Sequence, residues 1–180
     1  TVAVVGCGGV GLNCIQGAVL AGALRIIAID TVESKLSLAT QFGATEVVDA
    51  STGDVVQKVI DMTDGGVDYS FEAIGLKETA EQCYEMLRPA GTATIIGMIP
   101  EGTKIEIDAG SFLRRERKIQ GSSMGSNRFR TDMPKYIEFY KQGRLKLDEL
   151  VSQHLKLDQL NQAFADMKSG NVARSVITFD

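Results

Sequence analysis

Tryptophan is absent from this chain, histidine occurs once, at His154, and cysteine three times, at Cys7, Cys14 and Cys83. Each scarcity excludes something. The cysteines fit no CxxC or Cys/His ligand spacing, so a zinc site built from this chain's own residues is implausible. Reduced thiols acting as small apolar side chains are the simplest reading, and they point to a cytoplasmic protein. Basic residues are not in excess: 19 Lys and Arg stand against 23 Asp and Glu, a net charge of −4. A nucleic-acid partner held by phosphate neutralisation is therefore not expected. The short run Arg114–Lys118 is the local exception and reads as a solvated helix end. No apolar run approaches the roughly 20 residues of a membrane span, so no membrane partner is expected. There is no initiating methionine and no visible signal peptide. The chain starts at Thr1, directly before an apolar strand, and reads as a piece of something longer.

What is present is ample for a core, with 44% hydrophobic and 23% charged residues. Short apolar runs alternate with helix-length segments through the first two thirds. The pattern predicts strands at 2–5, 25–30, 46–48, 67–72, 92–97, 104–107 and 118–121. It predicts helices at 10–23, 33–42, 54–62, 77–87 and 110–115, with Gly43 and Pro89 as stops. "VAVV", "IIAI" and "ATII" are continuously apolar, as expected when helices cover both faces of a parallel sheet. The expected class is α/β, a doubly wound parallel sheet of Rossmann type. After Gly121 the texture changes. "SSMGSNRFRTDMP" is loop-like, with Thr131 or Asp132 able to cap a helix carrying Tyr136, Ile137, Phe139 and Tyr140. "LDQLNQAFADMKSG" places Leu160, Ala163, Phe164 and Met167 at helical spacing and stops at Gly170, and "ARSVITFD" is strand-like. Two helices and a strand make a poor independent domain, so this tail is expected to pack on something else.

Gly6, Gly8 and Gly11 form G-x-G-x-x-G directly after a strand and at a helix start. Asp30 closes the next strand about 20 residues on. Gly6 permits the tight turn, Gly8 lets a pyrophosphate approach the backbone, and Gly11 lets helix and strand pack closely. The helix start offers N–H donors and the positive end of its dipole. The Asp30 carboxylate can accept hydrogen bonds from both hydroxyls of an adenosine ribose. A 2′-phosphate would meet that charge, and Thr31 and Val32 supply no arginine to receive it, so NAD is expected over NADP. Lys35, one turn on, can reach a ribose oxygen or simply be an exposed helix lysine. Asp68 and Glu72 share strand parity, for which a structural role is the better reading.

"VAVVGCGGVGLNCIQGAVLAGALRIIAID", followed by "FGATEVVD", "GGVDYSFEAIG", "LRPAGTATIIGM" and "GSSMGS", resembles zinc-dependent alcohol dehydrogenases of the medium-chain dehydrogenase/reductase family. The resemblance covers essentially the whole chain and corresponds to the C-terminal half of such enzymes. It implies a dinucleotide-binding domain over 1–121 and a segment over 122–180 that completes the catalytic domain. It implies pyrophosphate binding at Gly8, Gly9 and Val10, with the Val10 side chain near the nicotinamide, and a ribose held by Asp30 and Lys35. Ile74 would line the adenine side, Ile96 and Ser122–Met124 would offer backbone groups to the carboxamide, and Arg174 would reach the pyrophosphate. The family's catalytic zinc ligands, its proton-relaying hydroxyl and its four-cysteine zinc lobe have no counterpart here, so no catalytic residue is assigned. His154 matches no zinc ligand.

The implied activity is hydride transfer between an alcohol/aldehyde pair and NAD, with zinc in the intact enzyme. A thiol-dependent formaldehyde or polyol dehydrogenase is a variant of it. A stand-alone NAD(H)-binding sensor module remains open as an alternative. The alternation of Ile105 and Ile107 with Lys104, Glu106 and Asp108 reads as an edge strand. In the family this strand pairs across a two-fold axis, implying a homodimer or homotetramer through 104–108.

Overall fold

A computed structural model describes residues 1–169 and 172–179. They form two compact units, Thr1–Ser126 and Asn127–Asp180.

The first unit begins with β1 (Val2–Val5) and α1 (Gly9–Leu20), followed by β2 (Ile26–Asp30) and α2 (Glu33–Gln41). Then come β3 (Glu46–Asp49), α3 (Val55–Thr63), β4 (Val67–Glu72), α4 (Lys77–Glu85), β5 (Leu87–Ile95), α5 (Ala109–Arg114) and β6 (Lys118–Gly121). All six strands are parallel, in the order β3-β2-β1-β4-β5-β6. This is the doubly wound arrangement, and its strand order reverses between β1 and β4. Ligands of such sheets sit outside the carboxyl ends of the strands at that reversal.

Burial explains the continuous apolar runs. Every residue of β1 and β2 is buried, because helices cover both faces. Leu12, Ile15 and Ala18 turn one stripe of α1 inward, and Leu12 and Ile15 are wholly buried. Each such aliphatic side chain contributes about 1.5–3 kcal/mol of burial free energy. A core of Ala3, Val5, Ile27, Ile29, Val59, Val67, Met86 and Leu87 is packed by Ile107 and Ile119 from its margin.

Three sequence expectations are corrected in this unit. The segment 104–107 pairs with no strand among the described residues, and the edge of the sheet is β6. Its alternation is real, with Ile105 and Ile107 half-buried between exposed charges. Its polar groups, however, turn to α4: the Glu106 N–H donates to Glu81 at 2.7 Å, and Lys77 pairs with Glu106 at 2.9 Å. Alternation reports one buried face, not a ladder. Secondly, α4 ends at Glu85, because Leu87 already pairs with Val67. The chain then bulges through Pro89 and Ala90 (φ 63°) before Thr92 resumes the ladder opposite Tyr69. Thirdly, the basic run is not wholly solvated. Arg117 is buried, its guanidinium lies 5.4 Å over the Tyr84 ring, and Nη2 donates to the Leu87 carbonyl.

In the second unit, α6 (Phe129–Lys141) starts earlier than expected. Asp132 lies inside its first turn and accepts the Arg128 N–H at 2.7 Å instead of preceding the helix as its cap. β7 (Gln153–Leu155) and β8 (Ser175–Ile177) form a parallel pair, linked through a short 3-10 turn and α7 (Leu160–Ser169). The expected helix stop at Gly170 lies outside the described residues. Leu150 and Ala163 are buried, whereas Phe129, Met133, Ile137, Leu157, Phe164 and Met167 are exposed.

Candidate functional site

The glycine turn connects β1 to α1 on the carboxyl side of the sheet. Gly6 has φ +93°, a conformation that side chains rarely adopt, and a Cβ there would lie 2.5 Å from the Ile74 side chain. A Cβ on Gly11 would lie 1.7 Å from the Gly6 carbonyl oxygen, so only glycine lets the helix sit this close to the turn. Gly8 is different in kind. A Cβ built on it meets nothing within 4 Å. Two of the three glycines are required by packing, and the third faces open space.

Gly8 is also the N-cap of α1, and it has no side chain with which to cap the helix. By contrast, α3 and α5 are capped by the carboxylates of Asp54 and Asp108. The first turn of α1 contains no acidic residue either. Gly9 and Val10 open the helix, and the Val10 side chain is 53% exposed. A twelve-residue helix thus presents its positive end, with no acidic side chain in its first turn, beside the open face of Gly8.

Asp30, at the carboxyl end of β2, is 7% exposed and held on both oxygens. Oδ2 accepts the Cys7 N–H at 2.8 Å, and Oδ1 accepts the Val32 N–H at 3.0 Å. Lys35 Nζ stands 4.0 Å from Oδ2. Because Cys7 belongs to the glycine turn, this bond ties the carboxylate to the G-x-G-x-x-G loop itself. Sequence reasoning missed the Cys7 amide, since a backbone donor carries no side-chain signature. The Cys7 thiol takes no part. Burial, with the Asp30 charge adding to it, pushes it up to about 12, and burial pushes Cys14 up to about 11.

Across the strand reversal, β4 ends at Glu72 and the chain turns through Ala73, Ile74 and Gly75. Ile74 is 48% exposed, with its side chain against Gly6. Ile96, half-buried, follows β5 and donates its N–H to the Glu72 carbonyl at 2.9 Å. The Ser122 N–H donates to the Ile95 carbonyl at 2.9 Å, which carries the chain past the end of β5 to Met124, 89% exposed. The structure therefore brings Gly6, Gly8, Gly9, Val10, Gly11, Asp30, Lys35, Ile74, Ile96 and Met124 into one unit, on the loops and first helical turns that follow the sheet's carboxyl edge. Arg174 belongs to the second unit, just before β8. It is exposed, and its carbonyl accepts the Ser152 N–H at 2.8 Å.

Of the two strand carboxylates, Asp68 is turned outward to Arg88 at 3.4 Å, and Glu72 is wholly buried. His154 is exposed on β7. Among the described residues, no three His, Cys, Asp or Glu side chains cluster so as to hold a metal ion. No helix among them is long and apolar enough to cross a membrane.

Comparison with known proteins gives four matches. A family model described as zinc-binding dehydrogenase matches residues 9–142. The S-(hydroxymethyl)glutathione dehydrogenase of Komagataella pastoris is 39% identical over 186 residues, covering 98% of this chain and 48% of that protein. The crystal structure of benzyl alcohol dehydrogenase from Acinetobacter calcoaceticus superposes with a TM-score of 0.96 at 33% identity, covering 100% of this chain and 49% of that one. A Sinorhizobium meliloti chain, described as a zinc-binding dehydrogenase and solved bound to NADP, gives a TM-score of 0.90 at 31% identity, covering 99% and 52%. The chain spans about half the length of the curated relatives it matches.

Proposed function

The chain belongs to the zinc-binding dehydrogenases, and from that premise we propose that it is the NAD-binding part of an oxidoreductase acting on an alcohol/aldehyde pair. One observation carries the proposal: an uncapped helix start opens beside the bare face of Gly8, within a turn that also fastens the Asp30 carboxylate. The residues present fit a dinucleotide. Gly8, Gly9 and Val10 line the helix start against the pyrophosphate, with the exposed Val10 side chain toward the nicotinamide. Asp30 and Lys35 take the adenosine ribose, and Ile74 walls the adenine side. Ile96 and the Ser122–Met124 backbone meet the carboxamide. When bound, the dinucleotide supplies the hydride acceptor.

The described residues do not fit a catalytic zinc ion, so no step is assigned to one here. In this reading, residues 122–180 complete a catalytic domain that draws its metal ligands from elsewhere in the protein. The exposed apolar side chains of α6 and α7 suit that role. Relatives named S-(hydroxymethyl)glutathione dehydrogenase favour a thiol adduct of formaldehyde as the substrate. The extended segment 104–108, unpaired with any strand among the described residues, suits a two-fold contact between copies.

Family membership alone does not choose the dinucleotide, since the Sinorhizobium relative was solved with NADP. Asp30 argues for NAD. Its buried carboxylate, already fixed by two N–H groups, cannot turn away from a 2′-phosphate. Titration calorimetry should find NADH bound about ten- to hundredfold more tightly than NADPH. Asp30→Gly should shrink that gap. Equal affinities in the unsubstituted protein would overturn the assignment.

A further inference from the structure

Glu72 is the one carboxylate wholly buried among the described residues, and no lysine or arginine among them pairs with it. Hydrogen-bond donors alone hold it. Oε1 accepts the Ile74 N–H at 2.9 Å, the Gly75 N–H at 2.7 Å and the Thr79 hydroxyl at 2.8 Å. Oε2 accepts the Gly97 N–H at 3.2 Å, a donor shared with the Glu72 carbonyl at 3.1 Å. The two loops so joined touch backbone to backbone. A Cβ on Gly97 would lie 2.1 Å from the Gly75 nitrogen and 2.4 Å from Oε2, and one on Gly75 would lie 2.9 Å from the Met98 nitrogen.

Burying a carboxylate without a counter-ion is costly unless its lone pairs are satisfied. Here the satisfied oxygens divide between two walls of the candidate site. One oxygen fixes the loop that carries Ile74, the other the loop that carries Ile96. We infer that Glu72 is a positioning residue for the dinucleotide, setting the adenine-side wall and the carboxamide-side wall at one fixed spacing. The inference rests on the dinucleotide reading above.

The two oxygens make the inference testable with a single substitution. In Glu72→Gln the amide carbonyl keeps the side with three donors. The amide nitrogen then faces the Gly97 N–H, donor against donor. The Ile74 wall should hold and the Ile96 wall should loosen. NADH affinity should fall about tenfold or more, while ADP-ribose, which lacks the nicotinamide, binds within about twofold of its original affinity. The blue shift of bound NADH fluorescence should shrink in parallel. Thr79→Val, which removes one donor from Oε1 only, should leave the NADH to ADP-ribose ratio unchanged. A Glu72→Gln protein that binds both ligands with the original ratio would overturn the inference, as would one that loses both alike.

A second measurement needs no variant and no ligand. One carboxylate holding both loops requires the Ile74, Gly75 and Gly97 amides to exchange hydrogen through a common opening, at closely similar free energies. Gly97 exchanging independently and much faster would overturn the inference even if Glu72→Gln failed to fold. Should the unsubstituted protein bind neither NADH nor ADP-ribose, the dinucleotide reading itself would fall, and the exchange comparison would still decide whether Glu72 couples the loops.

Discussion

The two units of this chain handle apolar surface in opposite ways. In Thr1–Ser126 the strands β1 and β2 are buried on both faces, and α1 turns its apolar stripe inward. In Asn127–Asp180 only Leu150 and Ala163 among the described hydrophobic residues are buried, while α6 and α7 leave Phe129, Met133, Ile137, Phe164 and Met167 exposed. Apolar residues recur at helical spacing in both. The difference lies in what each stripe faces. A six-stranded sheet offers the first unit a surface to bury against, and the two-stranded pair β7–β8 does not offer the second one. Periodicity locates a face that must be covered, without saying that this chain covers it.

That contrast can be broken most forcefully at Gly11. Placing a methyl group 1.7 Å from the Gly6 carbonyl forces the α1 start away from the sheet. Gly11→Ala should therefore cost about 4 kcal/mol or more, read as a lowered urea midpoint for the first unit. A change under 1 kcal/mol would show that the turn relaxes freely and that its tight packing is not a constraint.

A smaller effect is expected at the margin of the same sheet, where Arg25 grips Glu46 with two bonds of 2.7 and 2.6 Å. The hydrogen bonds from Arg25 hold the Glu46 carboxyl below the usual glutamate range. A depressed folded-state value contributes stability that is present above the ordinary glutamate value and is lost as pH falls through the folded one. Glu46→Gln should lower the urea midpoint at neutral pH and flatten its decline on acidification below about pH 4.5. An unchanged acid profile would mean the pair contributes nothing.

Least of all should happen in the second unit. Phe164→Ser and Met133→Gln replace exposed apolar side chains and should shift the urea midpoint by no more than about 0.5 kcal/mol. A loss of 2 kcal/mol in either would show that these faces are already covered within this chain.

How much of this was legible in the sequence follows from the range of the interactions involved. The packing roles of Gly6 and Gly11 were readable because they act through local geometry at a fixed spacing. The alternation of elements was readable because a strand buried on both faces must be continuously apolar. The missing ladder at 104–107 was not, since half-burial of Ile105 and Ile107 looks the same whether the neighbour is a strand or the side of α4. The early start of α6 was hidden by Pro134, which reads as a breaker but is accommodated inside the helix. The positioning role of Glu72 was hidden most deeply. Its partners are scattered over Ile74, Gly75, Thr79 and Gly97, and a lone glutamate in a strand gives no sign of them.

The reversal of strand order has a consequence in time. β1 completes its pairing only against β4, whose residues lie 67 positions further along the chain. At about 5–20 residues per second of synthesis, "VAVV" emerges roughly 3–13 s before its partner exists. The β1–α1–β2 unit can form in that interval, with one side of its central strand still open. Ile74, whose side chain lies against Gly6, arrives only with β4, so the nascent chain displays its glycine turn before that contact exists.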